Sequence, residues 1–198
     1  MPTTAKTPAA QLATLRCKDP QCFTRWLAKH HASKDGVWLQ IAKKDSGIAS
    51  VTHAEALEAA LCQGWIDGQR NSMDAQYFLQ KFTPRRARST WSKVNCAKAL
   101  ALIESGDMQP AGLAEVERAK ADGRWEAAYD AQSKMTVPDD LAALLKKSVK
   151  AKAFFESLDS RNRFAILFRL QTAKKAETRE RRLVKFFDML KRGEKIYP

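Results

Sequence analysis

Between Val37 and Phe82 the chain switches from strand-like to helix-like patterning and back, and that switch constrains the fold more than any other feature. Val37-Trp38-Leu39-Gln40-Ile41-Ala42 is rich in β-branched and aromatic residues and predicts a strand. Thr52-His53-Ala54-Glu55 has the spacing of a capping box, in which Thr52 and Glu55 satisfy the first free N–H groups of a helix. That helix buries Ala56, Leu57, Ala60 and Leu61, and Gly64 is placed to end it. Two further strands are predicted at Trp65–Asn71 and Tyr77–Phe82, joined by the polar turn Asn71-Ser72-Met73-Asp74. The fold class expected is α+β, with a small antiparallel sheet and helices in the N-terminal part, followed by an all-helical C-terminal module.

Upstream, residues 20–31 predict a short amphipathic helix burying Phe23, Trp26 and Leu27. Downstream, Pro84 ends the last strand, and Ser89 or Ser92 caps a helix running through Leu100 to Glu104, closed by Gly106. A helix over Leu113–Ala121 follows, and the weakly patterned Glu126–Val137 reads as a linker. Beyond Pro138, helices fit 139–147, 151–157, 161–170 and 173–191. In the last, Leu183, Phe186, Phe187 and Leu190 stand at offsets 0, 3, 4 and 7, which marks a core face. The organisation expected is a flexible tail over 1–19, an α+β domain over 20–130, and a helical module over 131–198 packed on the first.

The balance of 44% hydrophobic and 29% charged residues is that of a globular chain rather than a disordered one. No apolar run is long enough to span a bilayer, and the first residues lack the pattern of a secretory signal. A cytoplasmic protein is therefore expected, with Cys17, Cys22, Cys62 and Cys96 as reduced thiols. Glycine-rich phosphate loops, GxSxG and HExxH are absent, so the standard routes to nucleotide hydrolysis, serine hydrolysis and zinc proteolysis are disfavoured. No catalytic residue, metal ligand set or cofactor is assigned. The charge is the strongest global clue: 35 Lys and Arg against 22 acids give +13, a surplus that attracts polyanions such as nucleic acid.

Two groups of residues are candidates for binding. From Arg161 to Lys195 twelve cations face four acids, a net of +8. Lys174, Lys175, Arg179, Arg181, Arg182 and Lys185 would form a basic face opposite the apolar stripe. The competing expectation is an ordinary amphipathic surface helix with its acids paired one turn away. The second group is Trp65, Asp67, Arg85, Arg86, Trp91, Ser92 and Asn95. Guanidinium forks, a helix N-terminus at Ser92 and an indole plane would together suit a small anionic, phosphorylated ligand, with Asp67 as acid or base. The competing expectation is that the tryptophan is core, that Ser92 and Asn95 serve the helix, and that the arginines pair with Asp67 or Asp74.

These same residues carry a resemblance. Gly64-Trp65-Ile66-Asp67-Gly68, then Phe82-Thr83-Pro84-Arg85-Arg86 with Ser89, Trp91, Ser92 and Asn95, and Ala121-Asp122-Gly123-Arg124-Trp125 are similar to the bacterial family called bacteriocin-protection, YdeI or OmpD-associated. Ile166-Leu167-Phe168-Arg169, Ala173-Lys174 and Glu177-Thr178-Arg179-Glu180-Arg181-Arg182 resemble that family's C-terminal helical module, and the likeness spans roughly residues 20–196. The resemblance implies a role linked to bacteriocin resistance or to an outer-membrane porin. It carries no catalytic residues. A non-enzymatic binding or regulatory role in a stress or envelope response is therefore expected, with an enzyme or sensor of a small anionic ligand as the alternative.

Overall fold

Strand β2 (Val37–Ala42) buries Val37, Leu39 and Ile41 and turns Trp38, Gln40 and Ala42 outward, the period of two that makes one face of a sheet apolar. The structure, a computed structural model, describes residues 12–198 and divides into two units, the first holding residues up to 89 together with 97–123, the second 90–96 with 124–198. In the first unit the four-stranded sheet has the order β1-β2-β4-β3, with β1 at Thr14–Arg16, β3 at Trp65–Ser72 and β4 at Tyr77–Pro84. β4 pairs antiparallel with both β2 and β3, and β1 lies parallel to β2.

The α+β expectation holds, and β1 adds a parallel strand to it. Of the tail expected over 1–19, residues 1–11 lie outside the described residues, and Thr14–Arg16 is this strand. Three residues are too few to show a period, which is why the sequence did not display it. A second correction concerns the cysteines. Cys17 and Cys22 form a disulfide from the end of β1 to the first turn of α1 (Pro20–His30), their Cα atoms 5.4 Å apart. Cys62 and Cys96 are thiols outside any disulfide, and burial, with Asp107 and Glu58 nearby, pushes the Cys62 thiol up to about 11.

One face of the sheet packs on α1 and on α2 (His53–Cys62), where Phe23, Leu27, Leu39, Ile41, Trp65 and Phe82 are buried together. The capping box at the start of α2 is complete: Thr52 Oγ1 accepts from Glu55 N, and Glu55 accepts from Thr52 N at 2.8 Å. Gly64 then reverses the chain into β3 with φ of 73°, and a side chain there would meet the Ala111 carbonyl of α4 (Pro110–Ala121) at 2.8 Å. The β3–β4 turn is closed by Asp74, whose Oδ1 accepts from the backbone N of Gln76 and Tyr77, both at 2.7 Å.

The second unit has its own apolar core, built from α5 (Asp139–Lys146), α6 (Val149–Ser157), α7 (Ser160–Gln171) and α8 (Ala176–Arg192). Leu141, Phe155, Ile166, Leu170, Phe186 and Leu190 are buried in it. The segment expected as a linker is tied down by backbone pairing: Tyr129 N donates to Trp91 O at 3.0 Å and Lys93 N donates to Tyr129 O at 2.9 Å. That order comes from residues far apart in the chain, so no local pattern announces it. Asn162, 1% exposed, anchors the end of the chain. Its Oδ1 accepts from Ile196 N and Tyr197 N, and its Nδ2 donates to Tyr197 O and to the helix-capping Asp159.

Two substitutions test this account by urea unfolding. Gly64→Ala forces a side chain into left-handed backbone and against Ala111, and should cost at least about 1–2 kcal/mol. Asn162→Ala leaves the part-buried N–H groups of Ile196 and Tyr197 without their acceptor and should cost about 1–3 kcal/mol.

Candidate functional site

Four of the seven predicted pocket residues, Trp65, Asp67, Arg85 and Arg86, belong to the first unit, and Trp91, Ser92 and Asn95 to the second. Trp65 is fully buried, edge-on to Trp26 at 5.8 Å, and its Nε1 donates to His31 O at 3.1 Å. It thus supports the loop that follows α1. Asp67 stands on β3 just before a register shift, where buried Gln80 donates to the Gly68 carbonyl at 3.0 Å. Its carboxylate meets His53 Nε2 at 3.1 Å, so its partner is the first residue of α2 rather than an arginine. Nothing in the sequence linked these two positions, because their proximity depends on how α2 lies against β3. Both side chains are partly exposed, and such a pair stabilises by no more than about 1 kcal/mol. No further side chain hydrogen-bonds to the pair among the described residues.

Arg85 is buried at the end of β4, its backbone N donating to Gly64 O at 3.0 Å, and Arg86 is exposed. Ser89 closes a turn here: its Oγ accepts from Arg86 N, and its N donates to Arg86 O, each at 2.9 Å. Together with Lys34, Lys81, His31 and Asp35, the two arginines line a cleft of about 520 Å³. The 31–36 loop is held close to β4 at Gly36, where a side chain would approach Thr83 Cγ2 to 2.6 Å. Lys34 and Lys81 were not anticipated, since the cleft forms only when the loop meets the strand.

In the second unit Trp91 is 2% exposed, with its ring 4.9 Å from that of Trp125. Ser92 caps α3 (Lys93–Glu104), its Oγ accepting from Asn95 N at 3.1 Å. Lys93 is paired with Asp130 at 2.7 Å, and hydrogen bonds from Lys93 and Gln171 hold the Asp130 carboxyl below its ordinary range.

The six basic-face candidates separate into two kinds. Arg179 grips Asp140 of α5 through two bonds of 2.9 Å and donates to Leu170 O at 2.7 Å. Arg182 donates to Arg169 O at 2.6 Å. Both therefore donate to carbonyls in the last turn of α7, where Leu170 O also accepts from Ala173 N at 3.3 Å. Lys174, Lys175, Arg181 and Lys185 are exposed and have no ion pair among the described residues. Arg181 and Lys185 lie one helical turn apart. By unit, nineteen Lys and Arg against ten acids give the second a net of +9, and sixteen against twelve give the first +4.

Among the described residues no group of three or more His, Cys, Asp and Glu is placed to hold a metal ion, and no helix is long and apolar enough to cross a membrane. Residues 134–193 match the model of the family described as bacteriocin-protection, YdeI or OmpD-associated, which bears out the resemblance over α5 to α8. The motifs at 64–68 and 82–86 fall instead within a match to a second family model, over residues 15–115. No curated protein and no solved structure matches the chain. The 15–115 match covers just over half of the sequence, and the chain belongs to the family described as a domain of unknown function, DUF8412.

Proposed function

We propose that this chain is a non-enzymatic cytoplasmic binding protein that engages a polyanion, nucleic acid foremost, in a stress or envelope response. The observation that carries the reading is the set Lys174, Lys175, Arg181 and Lys185: exposed, free of ion pairs among the described residues, and set in the unit with the larger surplus of charge. Arg161 and Lys195 add to the cationic content of the same unit. The likeness of residues 134–193 to a family named for bacteriocin protection and OmpD association supports the envelope setting.

Binding of this kind releases counterions. Log affinity for an oligonucleotide should fall linearly with log salt, at about −0.7 per phosphate contacted on a single strand and about −0.9 on a duplex. Replacing Lys174, Lys175, Arg181 and Lys185 together by Ala should flatten that slope by about 3–4. Fluorescence anisotropy across a salt series measures both. An unchanged slope in the variant, or no binding at low salt, would defeat the reading.

A second reading, a sensor or enzyme for a small phosphorylated ligand, is favoured by the cleft that Lys34, Lys81, Arg85 and Arg86 line together with His31 and Asp35. Guanidinium and ammonium groups at one cleft suit a compact dianion. Pyrophosphate at a hundred times its Kd should stabilise the chain by about 2.7 kcal/mol. A thermal-shift titration should show this in the wild type and lose most of it in Arg86→Ala with the fold retained. The absence of any shift would retire this reading.

A further inference from the structure

α7 carries a surface that neither the charge argument nor the sequence motifs anticipated. Arg161, Phe164 and Phe168 stand at offsets 0, 3 and 7 and share one helix face. With Ala165, Arg169 and Tyr197 they line a cleft of about 340 Å³. The rings of Phe164 and Phe168 are stacked, 5.5 Å apart and inclined by 28°. Both are only half-buried, and neither belongs to the apolar core of this unit. The wall opposite is held firmly: Asn162 fixes the Tyr197 backbone through both its N and its O, and Arg169 Nη2 donates to the Tyr197 hydroxyl at 3.2 Å. The Arg161 guanidinium lies 4.3 Å from the centre of the Tyr197 ring and has no ion pair among the described residues.

Phe168 also packs edge-on against Tyr129 at 4.8 Å, and the ring surface that Phe164 and Phe168 leave half-buried is apolar area a ligand could cover. Three aromatic residues and two arginines line the cleft, in a unit of net charge +9. A ligand that matches both has flat aromatic rings joined by anionic links. Nucleobases on an unpaired strand meet that description, whereas in a duplex their faces are stacked on one another. Resting on the polyanion reading above, we propose that this cleft is a base-stacking subsite for single-stranded nucleic acid. A base stacks at Phe164 and Phe168, and Arg161 meets an adjoining phosphate.

The test uses the full chain and three labelled probes of equal length read by fluorescence anisotropy: oligothymidine, an abasic strand and a duplex. Oligothymidine should bind about tenfold tighter than the abasic strand. Phe164→Ala should bring oligothymidine to the abasic level and leave abasic affinity unchanged, and Phe164→Tyr should restore the difference. If oligothymidine and the abasic strand bind the wild type equally, or Phe164→Ala weakens both alike, the subsite is overturned while the polyanion reading stands. If none of the three probes binds, both fall together.

Discussion

The end of α7 is where the second unit resolves a conflict between its charge and its packing. The last carbonyls of any helix lack partners within it and carry the negative end of the helix dipole. Here Arg179 and Arg182, arriving from α8, donate to Leu170 O and Arg169 O, and Arg179 also grips Asp140 of α5. Three helices are thereby joined by charge-assisted bonds, while Leu170, Phe186 and Leu190 close the apolar core beside them. The same bonds decide which cations of the basic segment are engaged within the fold and which face solvent.

That division explains why a basic stretch is a poor guide to a binding surface until its geometry is known. Twelve cations lie between Arg161 and Lys195. Several are engaged within the chain: Arg163 and Arg169 donate to backbone carbonyls, and at the surface Lys191 pairs with Asp188 and Arg192 with Glu194. Lys174, Lys175, Arg181 and Lys185 remain outside such bonds, and Arg161 lies over the ring of Tyr197. α8 carries cations of both kinds: Arg179 and Arg182 are bonded within the fold, and Arg181 and Lys185 are exposed without an ion pair among the described residues.

What was legible in advance was local. The capping box at Thr52, the β2 pattern and the reversal at Gly64 each rest on a few adjacent residues, and each stands where the sequence placed it. What was hidden depends on segments distant in the chain. β1 gains its order from β2, the 124–131 stretch from the Trp91 backbone, Asp67 its partner from α2, and the cationic cleft its lysines from a loop meeting a strand. The disulfide stayed hidden because five residues of spacing say nothing about a chain that doubles back. The stacked pair Phe164 and Phe168 was masked by its own helical spacing, which reads as core from sequence alone.

The central claim is that free cations in the second unit form the anion-binding surface, and lysine acetylation footprinting tests it most directly. With and without a saturating oligonucleotide, mass spectrometry should find Lys174, Lys175 and Lys185 protected, while exposed Lys29 and Lys44 of the first unit react as before. Equal protection of all five lysines would show that the charge attracts polyanions over the whole exterior, and would contradict the account.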